Sequence, residues 1–127
     1  MDELPDTLTE DGDPTDAFLD WLKARPIVSD PRIPLEAMLR AWRFDNYAAE
    51  TRPNLFVFAT GGWSGNEAII EAFRLSELWY VLAWQSIRVP GGLYLIALSN
   101  EAAPEHPLEE MFDHIRDWAW NRIPATV

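Results

Sequence analysis

The chain predicts a small α+β domain: a three-stranded mixed sheet, made of one strand–helix–strand crossover and one hairpin, packed with about four helices. Three observations predict it. In four stretches apolar residues recur every three to four positions, the spacing of a helix with one buried side. Three runs rich in β-branched and aromatic residues, 55–60, 78–87 and 93–98, have the length of strands. Glycines and prolines fall between these stretches, where the chain must turn. A length of 127 residues fits one domain. A domain of that size buries roughly two-thirds of its chain surface and needs no metal or disulfide to fold.

The first 14 residues, MDELPDTLTEDGDP, are acidic and hold two prolines and a glycine. They predict a flexible tail or extended arm, with the single domain spanning 15–127. Asp13-Pro14-Thr15-Asp16 has the residues of a helix start, with Thr15 or Asp13 as cap. That helix would bury Phe18, Leu19 and Leu22, carry Trp21 beside them, and end before Pro26. Pro26, Pro31 and Pro34 make the next connection irregular. A second helix over 34–50 carries the stripe Leu35, Met38, Leu39 and Trp42, and Arg52-Pro53-Asn54 ends it.

The run Leu55 to Thr60 is apolar without alternation, as in a strand covered on both faces. Gly61-Gly62 turns the chain into a helix from Ser64 to about Leu75. The run 78–87 (LWYVLAWQSI) reads as the second strand, Pro90-Gly91-Gly92 as a hairpin turn and 93–98 as the third strand. A polar loop from Ser99 leads to a last helix, about 107–122, with Leu108, Met111, Phe112, Ile115, Trp118 and Ala119 as its apolar stripe. A right-handed parallel crossover would join the first two strands. The pattern alone leaves their pairing, parallel or antiparallel, open.

Net charge is −11, and it is unevenly placed. Residues 1–30 hold nine acids against Lys23 and Arg25, residues 31–100 hold six acids and six arginines, and residues 101–127 hold six acids against Arg116 and Arg122. Direct binding to nucleic acid is disfavoured, because that binding is driven by Lys and Arg releasing counterions from phosphates. The absence of cysteine excludes thiolate catalysis, disulfides and cysteine-ligated metals. The longest apolar run, Leu78 to Trp84, has seven residues against the ~20 that a membrane helix needs. With no basic stretch followed by an apolar run at the N-terminus, a cytoplasmic protein with no membrane partner is expected.

One segment has a chemical signature. Thr60-Gly61-Gly62-Trp63-Ser64-Gly65-Asn66-Glu67 lies where a strand gives way to a helix. Ser64 and Glu67 have the S-x-x-E spacing of a capping box, in which each side chain serves the other residue's free N–H. A glycine-rich turn at a helix N-terminus presents free N–H groups and the positive dipole end, hence a candidate anion site. With a parallel crossover, Trp84, Gln85, Ser86 and Arg88 would converge on that turn. Arg88 would then supply a planar cation, and Trp63 and Trp84 stacking faces. The candidate ligand-binding set is therefore Gly61, Gly62, Trp63, Ser64, Gly65, Asn66, Trp84, Gln85, Ser86 and Arg88. The plain alternative is turn-and-cap chemistry, since neither G-x-x-x-x-G-K-[ST] nor G-x-G-x-x-G is present.

Little in the chain suggests catalysis. His114, with Glu110 and Asp117 at helical spacing, reads as a charged helix surface rather than a metal site. Ser64 in G-x-S-G lacks the spacing of a nucleophile elbow. No catalytic residue, metal or cofactor is expected.

The strings ATGGWSGNEAIIEAF, LWYVLAWQS and GGLYLIAL resemble a family of small uncharacterised bacteriophage and prophage proteins with a T-G-G-W-S-G-N-E, W-x-S and G-G-x-Y pattern. The resemblance covers roughly residues 54–98 and implies a phage setting, without an activity. The expected function is that of a non-enzymatic accessory protein that binds a host or phage protein with a basic surface. Trp21, Trp118 and Trp120 within acidic rims would supply the contacts. An acidic DNA mimic that inhibits a host defence complex is a special case of it. The alternatives are a binder of a small, nucleotide-like anion at Gly61–Asn66 and a structural component of the phage particle.

Overall fold

The computed structural model describes residues 3–43, 47–83, 86–89 and 92–102. In chain order they form α1 (Asp16–Lys23), α2 (Arg32–Ala41), β1 (Ala48–Arg52), β2 (Leu55–Ala59), α3 (Ser64–Arg74), the single turn α4 (Trp79–Leu82), β3 (Ile87–Val89) and β4 (Leu93–Ala97). The α+β class is as the sequence predicts. The last helix expected, 107–122, lies outside the described residues.

Helix α1 starts as its residues dictate: the Thr15 hydroxyl oxygen accepts the Phe18 N–H at 3.0 Å. Phe18 and Leu22 are fully buried, and Trp21 beside them is 7% exposed. Thr15 also fastens the chain ahead of it, donating its N–H to Thr7 and its hydroxyl to the Asp6 carbonyl. Leu8 bridges Pro14, so residues 6–15 form a closed loop on the start of α1.

Helix α2 stops at Ala41, well short of the expected residue 50. The chain then forms β1, which pairs with β2 through a turn at Pro53-Asn54. Proline disfavours a helical conformation at the residue before it, and Asn54 takes a left-handed φ of 67°. Asn is among the few residues that do so readily.

The sheet has four strands in the order β1-β2-β4-β3, and every neighbouring pair is antiparallel. This corrects the three-stranded mixed sheet. The expected second strand, 78–87, is instead the α4 turn followed by the short β3. Burial explains the turn: Leu78 and Leu82 are buried while Tyr80 and Val81 face water, a spacing of four rather than two. Ser76 initiates it by accepting the Trp79 N–H at 3.3 Å.

A remnant of the crossover survives. β2 and β3 run in the same direction with β4 inserted antiparallel between them, a split β-α-β unit. Leu93 therefore stands opposite Ala59 on one side and Val89 on the other, and the C-terminal ends of β2 and β3 share one edge of the sheet. β3 pairs antiparallel with β4, Val89 opposite Leu93, while Pro90 and Gly91 of the expected hairpin turn lie outside the described residues.

One sheet face, carrying Phe56, Phe58, Tyr94 and Ile96, joins Phe18, Leu22, Met38, Ile70 and Phe73 in the main core. The other carries Leu55, Val57, Leu95 and Ala97, grouped with Ala102. β2 is thus buried on both faces, as its unbroken apolar run requires.

Candidate functional site

The glycine turn is built as the sequence suggests, but Thr60 and Asn66 are buried while Ser64 and Glu67 are exposed. Gly61 and Gly62 have φ of 63° and 76°, left-handed values that glycine adopts without steric cost. Trp63, rather than Ser64, is the N-cap residue of α3, and no side chain caps the helix start. The reciprocal Ser64–Glu67 pair is therefore not formed.

Asn66 is fully buried and acts as a bracket. Its amide donates to the carbonyls of Arg43 at 3.0 Å and Thr60 at 3.2 Å, and its Oδ1 accepts the Arg43 N–H at 3.0 Å. One side chain thereby ties the chain after α2 to the end of β2. The Trp63 indole lies against Gly65, where a β-carbon would collide with the ring, and the Arg43 guanidinium carbon is 4.7 Å from its centroid. Trp42 adds a further tie, donating from Nε1 to the Ala59 carbonyl at 2.8 Å.

The other half of the expected set is only partly visible. Trp84 and Gln85 lie outside the described residues. Ser86 donates its hydroxyl to the Leu82 carbonyl at 2.7 Å and so closes the turn after α4. Arg88 stands opposite Tyr94, which stands opposite Phe58. The backbone register thus places Arg88 on the same sheet edge as the glycine turn but two strands away from β2, about 10 Å. His106, His114, Trp118 and Trp120 also lie outside the described residues. Trp21, expected at the surface, belongs to the core. Among the described residues no group of three His, Cys, Asp or Glu could hold a metal ion. Among them no helix is long and apolar enough to cross a membrane.

The most polar cluster binds α2 to the first hairpin. Arg32 donates both terminal nitrogens to the Glu50 carboxylate, which also accepts the Asn54 N–H at 2.8 Å. The hydrogen bond from Arg32, then that from Asn54, holds the Glu50 carboxyl below its ordinary range. The same bond to Glu50 raises Arg32 above its own ordinary value.

A second region was not anticipated from the sequence. At the C-terminal end of α3, Leu75 is 64% exposed, and past the corner Tyr80 is 80% exposed with Val81 also at the surface. The Leu78 N–H donates to the Arg25 carbonyl at 3.3 Å, tying this corner to the loop after α1. That loop carries Ile27 and the 88%-exposed Val28. All five apolar residues lie within three positions of this one hydrogen bond. A shallow, open depression of about 550 Å³ lies between Glu3, Pro5 and one side of α1. The exposed face of α4 was hidden in the sequence because an apolar run of this length fits a strand and a helix equally.

No protein-family model, curated protein or solved structure matches this chain.

Proposed function

We propose that this protein works by binding another protein, and that the corner formed by Ile27, Val28, Leu75, Tyr80 and Val81 makes the contact. The observation that carries the reading is the exposure of these five apolar side chains around a single tertiary hydrogen bond. Scattered surface apolar residues need no explanation, but a gathered set marks an interaction surface. Tyrosine, which is amphipathic and stiff, is among the residues enriched at binding hot spots. Residues 1–30 hold nine acids against two basic residues, and that charge favours a basic partner. In the phage setting implied by the resemblance, that partner is a host or phage protein.

Affinity capture with the wild-type chain and with a Val28→Ser/Tyr80→Ser double variant tests this. Both positions are exposed, so the variant is expected to match the wild type in stability to within about 0.5 kcal/mol. A specific partner retained by the wild type and lost by the variant supports the corner. A partner retained equally by both overturns it. A melting-temperature rise with phosphate or nucleotides would favour the anion reading of the glycine turn instead.

A further inference from the structure

We infer that the second face of the sheet, formed by Leu55 and Val57 of β2 with Leu95 and Ala97 of β4, is the docking surface for this chain's own residues 107–122. The contact is made by their apolar stripe Leu108, Met111, Phe112, Ile115, Trp118 and Ala119. The exposed corner of α3 and α4 plays no part in it.

The face is buried, yet no described layer buries it. Leu55, Leu95 and Ala97 are 0% exposed and Val57 is 1% exposed. A sheet with nothing packed on one face leaves the side chains of that face in water, so part of the molecule lies on this one. It is not one of the four helices, whose large buried side chains all belong to the main core on the other face. Among the described residues only Ala102 joins the face from outside the sheet. Nor is a second copy needed, because one chain alone already excludes water from all four side chains. Of the chain outside the described residues, only 103–127 is longer than three residues.

The sequence after Ala102 has what the face requires. Ala102 is on the face already, and only residues 103–106 separate it from 107, a connection of ordinary length. Wound as a helix, 107–122 would extend about 24 Å. The five-residue strands β2 and β4 extend about 17 Å, so one such helix spans them. The apolar positions recur at intervals of three and four, while Glu109, Glu110, Asp113 and Asp117 fall off that stripe and would stay in water. The sheet is then covered on both faces, and Trp118 is withdrawn from any surface offered to a partner.

Methyl NMR of the full chain, with its Val, Leu, Ile and Met methyls labelled, tests this. Cross-peaks are expected from Val57 or Leu95 to Met111 or Ile115. A sample mixing labelled and unlabelled chains should show no contact between molecules on this face. Val57 and Leu95 methyls that touch only other segments overturn the docking. Contacts between molecules there overturn it in favour of a second copy. Thermal unfolding gives a second reading. Ile115→Ala should lower the melting temperature by about 10 °C, and Asp113→Asn, off the stripe, by about 2 °C at most. A loss for Ile115→Ala no larger than that for Asp113→Asn overturns the docking. If Ile115→Ala does not fold, the methyl contacts of the wild type decide alone.

Discussion

The two ends of α3 treat their side chains in opposite ways. At the N-terminal end Asn66 is fully buried, its amide engaged by Arg43 and Thr60, and Trp63 is held between neighbours. At the C-terminal end the buried polar residue is Ser76, whose hydroxyl donates to the Phe73 carbonyl at 2.6 Å, while Leu75 and Tyr80 are turned out to water. The first end uses polarity to hold the fold together. The second presents apolar surface that no described part of the fold covers. A glycine-rich turn attracts attention in a sequence because its residue types are distinctive. An exposed apolar corner has no distinctive residue types and shows itself only through burial.

Substitutions at the two ends should separate accordingly. The largest loss is expected for Asn66→Ala, which removes three hydrogen bonds, leaving the Arg43 N–H and carbonyl without this partner and the Thr60 carbonyl with only the Trp63 N–H, and should cost about 3 kcal/mol in urea unfolding. If the cost is below about 1 kcal/mol, the bracket is not what holds α2 to β2. Next comes Gly92→Ala, at about 2 kcal/mol. Gly92 has φ of 86°, its carbonyl accepts the Thr60 N–H, and a β-carbon there would collide with the Thr60 side chain.

Glu50→Gln should have a smaller effect, one that depends on pH. The Glu50 carboxyl titrates below its ordinary range in the folded chain, so its contribution is present above the unfolded value and is lost as pH falls through the folded one. The wild type and Glu50→Gln should therefore differ at neutral pH and converge under acid conditions, as read by melting temperature. A difference that grows as pH falls would show that the Arg32 pair is not the cause. Smallest of all should be Tyr80→Ser, within about 0.5 kcal/mol. A large loss there would mean that the corner is structural, and the contrast between the two ends would collapse.

The sequence exposes these features unequally. The Thr15 cap, the doubly covered β2, the glycine turn and the antiparallel pairing of the last two strands each depend on a local signal, and the structure contains each of them. β1 was hidden because Ala48-Ala49-Glu50-Thr51-Arg52 has little strand preference of its own. Pairing with β2 decides its state, and pairing is not local information. The parallel crossover failed for a related reason. The order strand–helix–strand fixes neither the relative direction of β2 and β3 nor which strand lies between them; they run the same way, and β4 takes the place between them. Of the candidate ligand set, the turn from Gly61 to Asn66 is assembled, with Asn66 committed to the backbone around it. The corner was illegible because the spacing of Leu78 and Leu82 could not be distinguished from a buried strand until Tyr80 was seen in water.

The bonds that close the arm onto Thr15 have an electrostatic consequence. Carboxylates on a loose chain average into a diffuse cloud that attracts cations from every side. Fastened at Asp6, Thr7 and Pro14, those of the arm keep a fixed position relative to α1, beside a stretch of chain from residue 31 to 100 whose formal charge is zero. The described part of the molecule therefore has one negative pole with a set direction. The field of these fixed charges draws cations toward that end of the described residues.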